Sequence, residues 1–360
     1  GYEALVSGSA EDGYTITNTH TPVVTELKAT KKWDDSSNQD GKRTGSITVV
    51  LYKDDSTEAY RTQTVSVATD SNTQEIVFEN LPVYENGNKI EYTIDETVCP
   101  EEYTKEDISG DVASGFTITN SYVTETVSIS GTKTWEDGDN QDGKRPESVT
   151  IQLQKLVDGT WTDVEGKTGT ITTENLGYSF ENLPKYENGV EIQYKVVEKD
   201  LNTAIYTPTG GTVDDEYNLT NTHVPEITSV SVTKVWDDNN NPDGQRPTNI
   251  TVGLYANGSD DPVTTLVVTG SGNTWTCTFE DLPKYENGVE IAYTVKEIGV
   301  DAIYTAVTTG NATNGYIITN THTPEIISIS GTKTWDDDSD RDGVRPASVT
   351  INLLKDGTKI

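Results

Sequence analysis

Apolar and polar residues alternate along most of this 360-residue chain, a pattern typical of β-strands that bury one face. One such run places Val127, Ile129, Gly131, Lys133 and Trp135 at alternate positions. Side chains at alternate positions of a strand point to the same face, so the lysine shares the face of the valine and the tryptophan. An isolated buried ammonium group is energetically costly, so the sequence predicts a buried partner for Lys133.

The lysine-containing strand occurs four times. Its Thr-Lys-x-Trp core lies at positions 30–33, 132–135, 233–236 and 332–335, a period of about one hundred residues. That period is too long for one unit of a solenoid and suits a series of complete domains. We therefore expect full repeats at 23–123, 124–224 and 225–323. Residues 1–22 are expected to be the C-terminal strand of a preceding repeat, and residues 324–360 the N-terminal part of a further one.

Two further polar residues lie on otherwise apolar strand faces of each repeat. Glu198 has the same parity as Tyr194 and Val196, and Asn221 has the same parity as Leu219. The corresponding residues are Glu96 and Asn120 in the first repeat and Glu297 and Asn320 in the third. Each repeat thus places one lysine, one glutamate and one asparagine on faces that are expected to be buried.

Each repeat consists of predicted strands and turns, with no helical period or helix caps. An acidic loop ending in Asp-Gly-x-Arg follows the lysine strand, and an Asn-Gly hairpin turn, such as Asn188 with Gly189, precedes the glutamate strand. The pattern predicts an all-β chain with a sandwich of about seven strands in each repeat. Pro22, Pro225 and Pro324 stiffen three joints between repeats, and the joint at 121–123 is expected to bend more.

Composition narrows the class of protein. The formal net charge of -33 disfavours binding to nucleic acid or to an anionic membrane, and no apolar run is long enough to span a bilayer. The two cysteines, Cys99 and Cys277, lie at non-equivalent positions of different repeats, which excludes a disulfide framework. Cys277 has the parity of Trp275 and Phe279 and is expected to be a small core residue.

A buried lysine held against a buried asparagine permits an isopeptide bond between the two side chains, with release of ammonia. The attack needs a neutral amine, and burial lowers the pKa of lysine. A buried glutamic acid can polarise the amide carbonyl and carry the proton to the departing ammonia. The reaction is a single turnover within one chain, so we do not expect an enzyme in the usual sense, and no cofactor is required.

Five motifs in a fixed order carry a resemblance to a known family. They are the Thr-Lys-x-Trp strand, the acidic loop with Asp-Gly-x-Arg-Pro, Leu-Pro-x-Tyr-Glu-Asn-Gly, Tyr-x-(Val/Ile)-x-Glu and Thr-Asn-Thr-His. Over its whole length the chain resembles the Cna protein B-type (CnaB) repeats of Gram-positive surface adhesins and pilins. The resemblance implies tandem inverse immunoglobulin-like (prealbumin-like) sandwiches whose first and last strands are neighbours. It also implies a Lys-Asn bond between those strands, with glutamate as the catalyst.

The resemblance assigns one triad to each complete repeat. The triads are Lys31, Asn120 and Glu96; Lys133, Asn221 and Glu198; and Lys234, Asn320 and Glu297. Asn18 and Lys333 match the motif but have no partners within the chain. Lys32 has the wrong parity and is expected to be a solvated surface residue. Thr44 replaces a proline of the other repeats and is expected to alter a loop.

Several simpler interpretations remain open beside these. A buried lysine and glutamate can form a plain ion pair. The acidic loops faintly resemble calcium loops, but their spacing does not fit an EF-hand, so a solvated turn without metal is expected. Single histidines two residues after the asparagine are expected to pack at the joints between repeats rather than bind metal. The Leu-Pro-Lys-Tyr-Glu-Asn-Gly segment is interpreted as a turn, not as a sorting signal.

These features together predict an extracellular, protease-resistant stalk of a Gram-positive cell-surface protein, anchored to the cell wall in its full-length form. The expected partners are neighbouring repeats of the same chain and, through other domains, a host extracellular-matrix protein. One alternative is a ligand-binding module for host matrix, for which the variable hairpins at 155–175 and 256–274 leave room. Another is a sortase-assembled pilus subunit. A hydrolase or transferase is disfavoured because no nucleophile with a histidine base is visible.

Overall fold

The computed structural model of the chain describes residues 1–43 and 45–360. Within these ranges the regular structure is β-strand, apart from one 3₁₀ turn at Val213–Asp215. None of the described helical structure is long and apolar enough to cross a membrane. The all-β class and the tandem sandwiches predicted from the sequence are confirmed. The predicted loop change at Thr44 lies outside the described residues.

The same order of strands recurs along the chain. The first are β1 (Glu3–Ser9), β2 (Gly13–Thr19), β3 (Val24–Asp34), β4 (Ser46–Lys53), β5 (Arg61–Ser66), β6 (Thr73–Pro82), β7 (Tyr84–Glu85), β8 (Asn88–Lys89), β9 (Tyr92–Val98), β10 (Thr104–Lys105), β11 (Ser109–Asp111) and β12 (Gly115–Ser121). Next come β13 (Thr126–Glu136), β14 (Ser148–Val157), β15 (Thr160–Thr172), β16 (Gly177–Pro184), β17 (Tyr186–Glu187), β18 (Val190–Glu191), β19 (Tyr194–Glu198), β20 (Thr207–Gly210) and β21 (Leu219–Thr222).

The remaining strands repeat this order once more. They are β22 (Ile227–Asp237), β23 (Ile250–Ala256), β24 (Thr264–Val268), β25 (Thr274–Pro283), β26 (Tyr285–Glu286), β27 (Val289–Glu290), β28 (Tyr293–Ile298), β29 (Thr305–Asn311), β30 (Gly315–Thr321), β31 (Leu354–Lys355) and β32 (Thr358–Lys359). Between β30 and β31 the chain forms no strand.

Two sheets face each other in each group of strands. In the first group, one sheet has the order β6-β3-β12-β10, with β11 also paired to β12, and the other has the order β5-β4-β9. Strand β3 is antiparallel to β6 and parallel to β12. The second and third groups repeat this plan as β16-β13-β21-β20 with β15-β14-β19, and as β25-β22-β30-β29 with β24-β23-β28. The first and last long strands are therefore neighbours, as an inverse immunoglobulin-like sandwich requires.

Alternating burial along the strands builds one hydrophobic core per group. In β3 the residues Leu27, Ala29, Lys31 and Trp33 are buried, while the residues between them are exposed. Separate apolar clusters surround Leu27, Ile129 and Val230. Full burial of one leucine-sized side chain stabilises the fold by about 1.5–3 kcal/mol, so alternation over several strands supplies most of the driving force.

The chain divides into two compact units. The first comprises Gly1–Glu226 with Tyr285–Val289, and the second comprises Ile227–Lys284 with Glu290–Ile360. The first unit begins with the hairpin of β1 and β2, whose residues are all exposed. The second ends with the short pair β31 and β32. The predicted boundaries of the five segments remain a prediction.

Candidate functional site: a buried lysine, glutamate and asparagine between the sheets

Three polar side chains meet between the two sheets of the first sandwich. Lys31 lies on β3, Asn120 on the neighbouring parallel strand β12, and Glu96 on β9 of the opposite sheet. The Lys31 Nζ atom is 3.4 Å from Glu96 Oε2. The Asn120 Nδ2 atom donates a hydrogen bond of 3.1 Å to Glu96 Oε1. One carboxyl group therefore holds both the amine and the amide.

The same arrangement occurs in the other two sandwiches. In the second, Lys133 Nζ is 3.6 Å from Glu198 Oε1, and Asn221 Nδ2 donates to the same oxygen at 3.2 Å. In the third, Lys234 Nζ is 3.7 Å from Glu297 Oε2, and Asn320 Nδ2 donates to Glu297 Oε1 at 3.1 Å. All nine predicted triad residues thus assemble in three sites of the predicted composition.

Strand register explains why these residues meet. In the parallel pair β13 and β21, Leu219 lies opposite Lys133 and Asn221 lies opposite Trp135. The asparagine is therefore two residues further along the neighbouring strand and on the same face as the lysine. In the opposite sheet Glu198 pairs with Ile151 of β14, a fully buried residue of the second core. The glutamate consequently faces the interior from the other side.

Burial governs the chemistry of the lysines. The side chains of the three lysines and three glutamates are at most 4% exposed. Removal from water disfavours an ammonium ion, and this outweighs the opposing attraction of the glutamate. The pKa of each lysine, Lys31, Lys133 and Lys234, is lowered to about 8. Each amine can therefore be neutral far more often than an exposed lysine.

The asparagine carbonyl oxygens are buried without a hydrogen-bond partner. This holds for the Oδ1 atoms of Asn120, Asn221 and Asn320. With Nδ2 turned toward the glutamate, the amide suits an ionised carboxylate as acceptor. A rotation that exchanges Nδ2 and Oδ1 turns the carbonyl toward a protonated glutamic acid, which then becomes the donor. The same two side chains can thus form a hydrogen bond in either orientation of the amide.

A tryptophan covers each lysine. Lys133 Nζ lies 4.3 Å from the centroid of the Trp135 ring, and the guanidinium carbon of Arg145 lies 5.6 Å from the same centroid. The ring excludes water from the amine. Its π face favours the charged form of the lysine, which opposes the effect of burial. The contact recurs between Lys31 and Trp33 at 4.5 Å and between Lys234 and Trp236 at 4.1 Å.

Comparison with known sequences establishes the family. A sequence model of the Cna protein B-type domain matches residues 27–121, 129–222, 230–321 and 329–360. The chain belongs to the Cna protein B-type domain family. The resemblance inferred from the five motifs is therefore confirmed, and the three buried sites lie within the first three matched segments.

Relatives of these Cna B-type repeats include a collagen adhesin of Staphylococcus aureus. It is 41% identical over 353 residues, which cover 97% of this chain and 28% of the adhesin. The chain therefore spans little more than a quarter of that protein.

Two solved structures from the collagen-binding protein of the same organism are also similar. The crystal structure of two B repeat units is 36% identical and covers 89% of this chain and 80% of that one, with a TM-score of 0.47. The crystal structure of a single B repeat unit is 41% identical and covers 56% of this chain and 100% of that one, with a TM-score of 0.26.

The acidic loop of each complete Cna B-type repeat is not the solvated turn expected from the sequence. Asp137 is 1% exposed, and its Oδ2 accepts hydrogen bonds from Arg145 Nε at 3.0 Å and from the Tyr206 hydroxyl at 2.9 Å. Burial alone would raise the pKa of Asp137, but bonds from Arg145, the Asn140 amide and Tyr206 lower it. The expectation failed because the arginine replaces the water that an exposed loop would keep.

A constant spacing could have revealed this cluster. The aspartate and the arginine are eight residues apart in every copy of the loop. The pairs are Asp35 with Arg43, Asp137 with Arg145, Asp238 with Arg246, and Asp337 with Arg345. Since each arginine also lies near the tryptophan that covers the lysine, the loop supports the site from outside.

The remaining sequence expectations concern single residues. Asn18 and Lys333 are exposed, and neither belongs to a buried triad. Lys32 is exposed, as its parity predicted. Cys99 and Cys277 are free thiols, and Cys277 packs partly buried against the third core. Over residues 1–43 and 45–360, no group of three or more histidine, cysteine, aspartate or glutamate side chains is arranged to hold a metal ion.

Proposed function

We propose that this chain is a segment of a cell-surface stalk made rigid by Lys-Asn isopeptide bonds within its Cna B-type repeats. One observation carries the proposal: in three successive repeats a buried lysine and a buried asparagine contact the same buried carboxyl group. A structural ion pair needs only the lysine and the glutamate. The asparagine adds the one group that a neutral lysine can attack.

The reaction follows from the side chains already in contact. The neutral Nζ of Lys133 attacks Cγ of Asn221 while protonated Glu198 donates its hydrogen to Oδ1. The glutamate then takes a proton from Nζ and delivers it to Nδ2. The Cγ–Nδ2 bond breaks and ammonia departs while Oδ1 returns its proton to the glutamate, so that the Cγ–Nζ amide remains and the glutamic acid is regenerated. Holding amine and amide on one carboxyl group supplies the proximity that an unactivated amide requires.

The position of the bond suits a mechanical role. It would join the first and last long strands of the sandwich, which are already neighbours in parallel register. The bond between Lys31 and Asn120 would enclose a loop of 89 residues (120 minus 31). A covalent closure of this length stabilises a fold by roughly 4 to 5 kcal/mol on the chain-entropy estimate, and an amide cannot be reduced.

The location and partners of the chain belong to the same proposal. A cell-surface, extracellular position with wall anchoring elsewhere in the full-length protein fits the similarity to the staphylococcal collagen adhesin. Within the chain we propose repeat boundaries at 23–123, 124–224 and 225–323. The neighbouring repeats would be its direct partners, and contact with a matrix protein would come through other domains.

The name of the relative favours a second function, binding of collagen by the repeats themselves. The test is a solid-phase assay of the full chain against immobilised collagen, with albumin as the control surface. Saturable binding to collagen alone would support an adhesive role. Equal signals on both surfaces would leave the stalk as the only function.

Intact mass under denaturing conditions tests the crosslinks. We expect the mass to fall short of the sequence mass by three ammonia molecules. Lys31→Ala should remove one of these three losses. Lys32→Ala is the matched control, because it removes the adjacent exposed lysine and should leave all three losses in place. Lys333→Ala should likewise change nothing beyond the substitution itself.

A mass equal to that of the plain sequence would refute the bonds and leave three buried ion pairs. A deficit that persists in Lys31→Ala, Lys133→Ala and Lys234→Ala would place the loss of ammonia elsewhere in the chain. Tandem mass spectrometry of a protease digest then locates each bond, since a crosslinked pair of peptides contains residues from β3 and β12, from β13 and β21, or from β22 and β30.

A further inference from the structure

Each complete repeat contains two glycine turns with different surroundings. Gly41 and Gly244 end the Asp-Gly of the acidic loop, while Gly87 and Gly189 end the Asn-Gly of the hairpin turn. All four have positive φ, between 70° and 82°. A Cβ atom added to Gly41 would lie 2.6 Å from the Cα of Gly189, whereas Gly87 and Gly244 have nothing within 4 Å of that position.

The contact between Gly41 and Gly189 joins two consecutive repeats. The Gly189 amide donates a hydrogen bond of 3.0 Å to the carbonyl of Gln39 in the acidic loop of the first repeat. A Cβ on Gly41 would clash with the facing backbone, and a Cβ on Gly189 would lie 3.1 Å from the Gly41 Cα, closer than nearly all Cβ contacts. Both positions also have positive φ, so glycine suits each of the two turns.

The same pair of turns meets a second time inside the first compact unit, which includes Tyr285–Val289. The Gly288 amide donates to the carbonyl of Gln141 at 3.0 Å. A Cβ atom on Gly143 would lie 2.5 Å from the Cα of Gly288. The repetition shows that the contact follows the two motifs and not one local sequence.

An aspartate of the same loop holds the joint between the repeats. Asp40 is 6% exposed, and its Oδ2 accepts hydrogen bonds from the Glu125 amide at 2.7 Å and from the Tyr122 hydroxyl at 3.1 Å. At the next joint, Asp142 Oδ2 accepts from the Glu226 amide at 2.8 Å and contacts His223 Nε2 at 2.9 Å. The histidines and Tyr122 thus serve as partners for the loop.

We propose that the Asp-Gly loop of one repeat and the Asn-Gly turn of the next form a specific docking surface between consecutive repeats. The partner for either surface is another repeat that carries the complementary turn. The Asn86-Gly87 turn accordingly fits the acidic loop of a preceding repeat, and the loop ending at Gly244 fits the turn of a following one. This inference does not rest on the isopeptide bonds and would hold in a chain without them.

Hydrogen exchange of single amides in the full chain tests the docking surface. The Gly189 and Gly288 amides should exchange about tenfold more slowly than the Gly87 amide, in line with one additional hydrogen bond. All three lie at the same position of the same Asn-Gly turn, so Gly87 is an internal control. Equal exchange at the three glycines would overturn the proposal, whatever the intact mass shows.

Two glycine substitutions separate docking from backbone strain. Gly41→Ala should accelerate exchange at Gly189 and leave Gly288 unchanged, and Gly143→Ala should do the reverse. Gly244→Ala carries the same cost of a positive φ without a facing backbone and should leave both amides protected. Similar effects of Gly41→Ala and Gly244→Ala on Gly189 would refute the inference.

Asp40→Asn provides a test that avoids the glycine backbone altogether. It keeps the size of the side chain and weakens the charge-assisted bond to the Glu125 amide, so exchange at Glu125 should accelerate. Unchanged exchange at Glu125 would show that the aspartate does not hold the joint.

Discussion

The buried position of Lys133 makes its amine easier to deprotonate. Its ammonium form gains from Glu198 at 3.6 Å and from the face of Trp135, yet burial dominates and lowers the pKa to about 8. At pH 7 roughly one such amine in ten is neutral, compared with fewer than one in a thousand at an ordinary lysine pKa. The site would therefore supply the nucleophile of the proposed reaction without any external base.

Replacing the glutamate should abolish the bond in one repeat only. Glu198→Gln keeps the shape but can neither protonate the amide carbonyl nor carry a proton to the leaving nitrogen. The mass deficit should fall from three ammonia molecules to two. Glu191→Gln, an exposed residue of β18, is the control and should leave three. A full deficit in Glu198→Gln would exclude the glutamate as catalyst.

The lowered lysine pKa also predicts a pH dependence of stability. In Asn221→Ala the lysine cannot react, so Lys133 titrates near 8 in the folded state and near 10.5 in the unfolded state. Between these values the unfolded chain binds more protons, so stability rises with pH, by at most about 3 kcal/mol. Below pH 8 both states are protonated and the full penalty of the buried charge remains.

Thermal unfolding over a pH series measures this effect. The second repeat of Asn221→Ala should melt first, because the proposed bonds of the other two repeats are unaffected by the substitution. The double variant Lys133→Met/Asn221→Ala has no amine to titrate, so its melting temperature serves as the reference. A constant difference between the two variants from pH 8 to 10.5 would contradict the lowered pKa.

At the scale of the secondary structure elements, the acidic loop after β13 supports the site. In this loop Asp137 accepts hydrogen bonds from Arg145 and from Tyr206. Arg145 in turn lies beside the tryptophan that covers the lysine. The Asp137 carboxylate accepts hydrogen bonds from both the Arg145 guanidinium and the Tyr206 hydroxyl, so the three groups depend on one another. Removal of the aspartate leaves a guanidinium and a hydroxyl without their acceptor.

Asp137→Ala should therefore destabilise the second repeat by about 3 kcal/mol. Asp139→Asn is the matched control: Asp139 is exposed in the same loop with a φ of 58° that asparagine also tolerates, so stability should change by less than about 0.5 kcal/mol. Denaturant unfolding in the Asn221→Ala background avoids masking by a covalent bond. Similar losses in both variants would show that the ion pair contributes nothing specific.

Strand periodicity explains how much of the site was predictable. Lys133, Glu198 and Asn221 each lie on a strand, where parity alone decides which face a side chain occupies. Asp137 lies in a loop, where no such period exists, so its burial was missed. The order of the strands in each sheet came from the family resemblance, since local patterns do not determine which distant strands pair.

The contact between Gly41 and Gly189 could not be predicted from the sequence, for a different reason. The sequence shows both turns, as Asp-Gly and Asn-Gly, and predicts a hairpin for the second and a solvated turn for the first. Their contact joins residues of different repeats, and turn chemistry describes only the four residues of the turn itself. The contact follows from packing and could be found only in three dimensions.

At the scale of the whole molecule, the proposed bonds determine how the chain responds to force. A crosslinked repeat transmits tension through the Lys-Asn bond, and the enclosed segment cannot extend. In single-molecule pulling of the full chain, Lys31→Ala should add one unfolding event of about 300 Å, the contour of the 89 residue steps from Lys31 to Asn120. Lys32→Ala should add none. Three such events in the unsubstituted chain would contradict the proposal.

The parallel pairing of β3 with β12 has a consequence for how such a protein can change in size. The chain enters the sandwich at Val24 and leaves it at Ser121, which lies opposite Asp34 at the far end of the same ladder. Each repeat therefore begins at one end of its sandwich and finishes at the opposite end, where a repeat of the same fold can follow. Whole repeats can be gained or lost without any neighbour changing its fold.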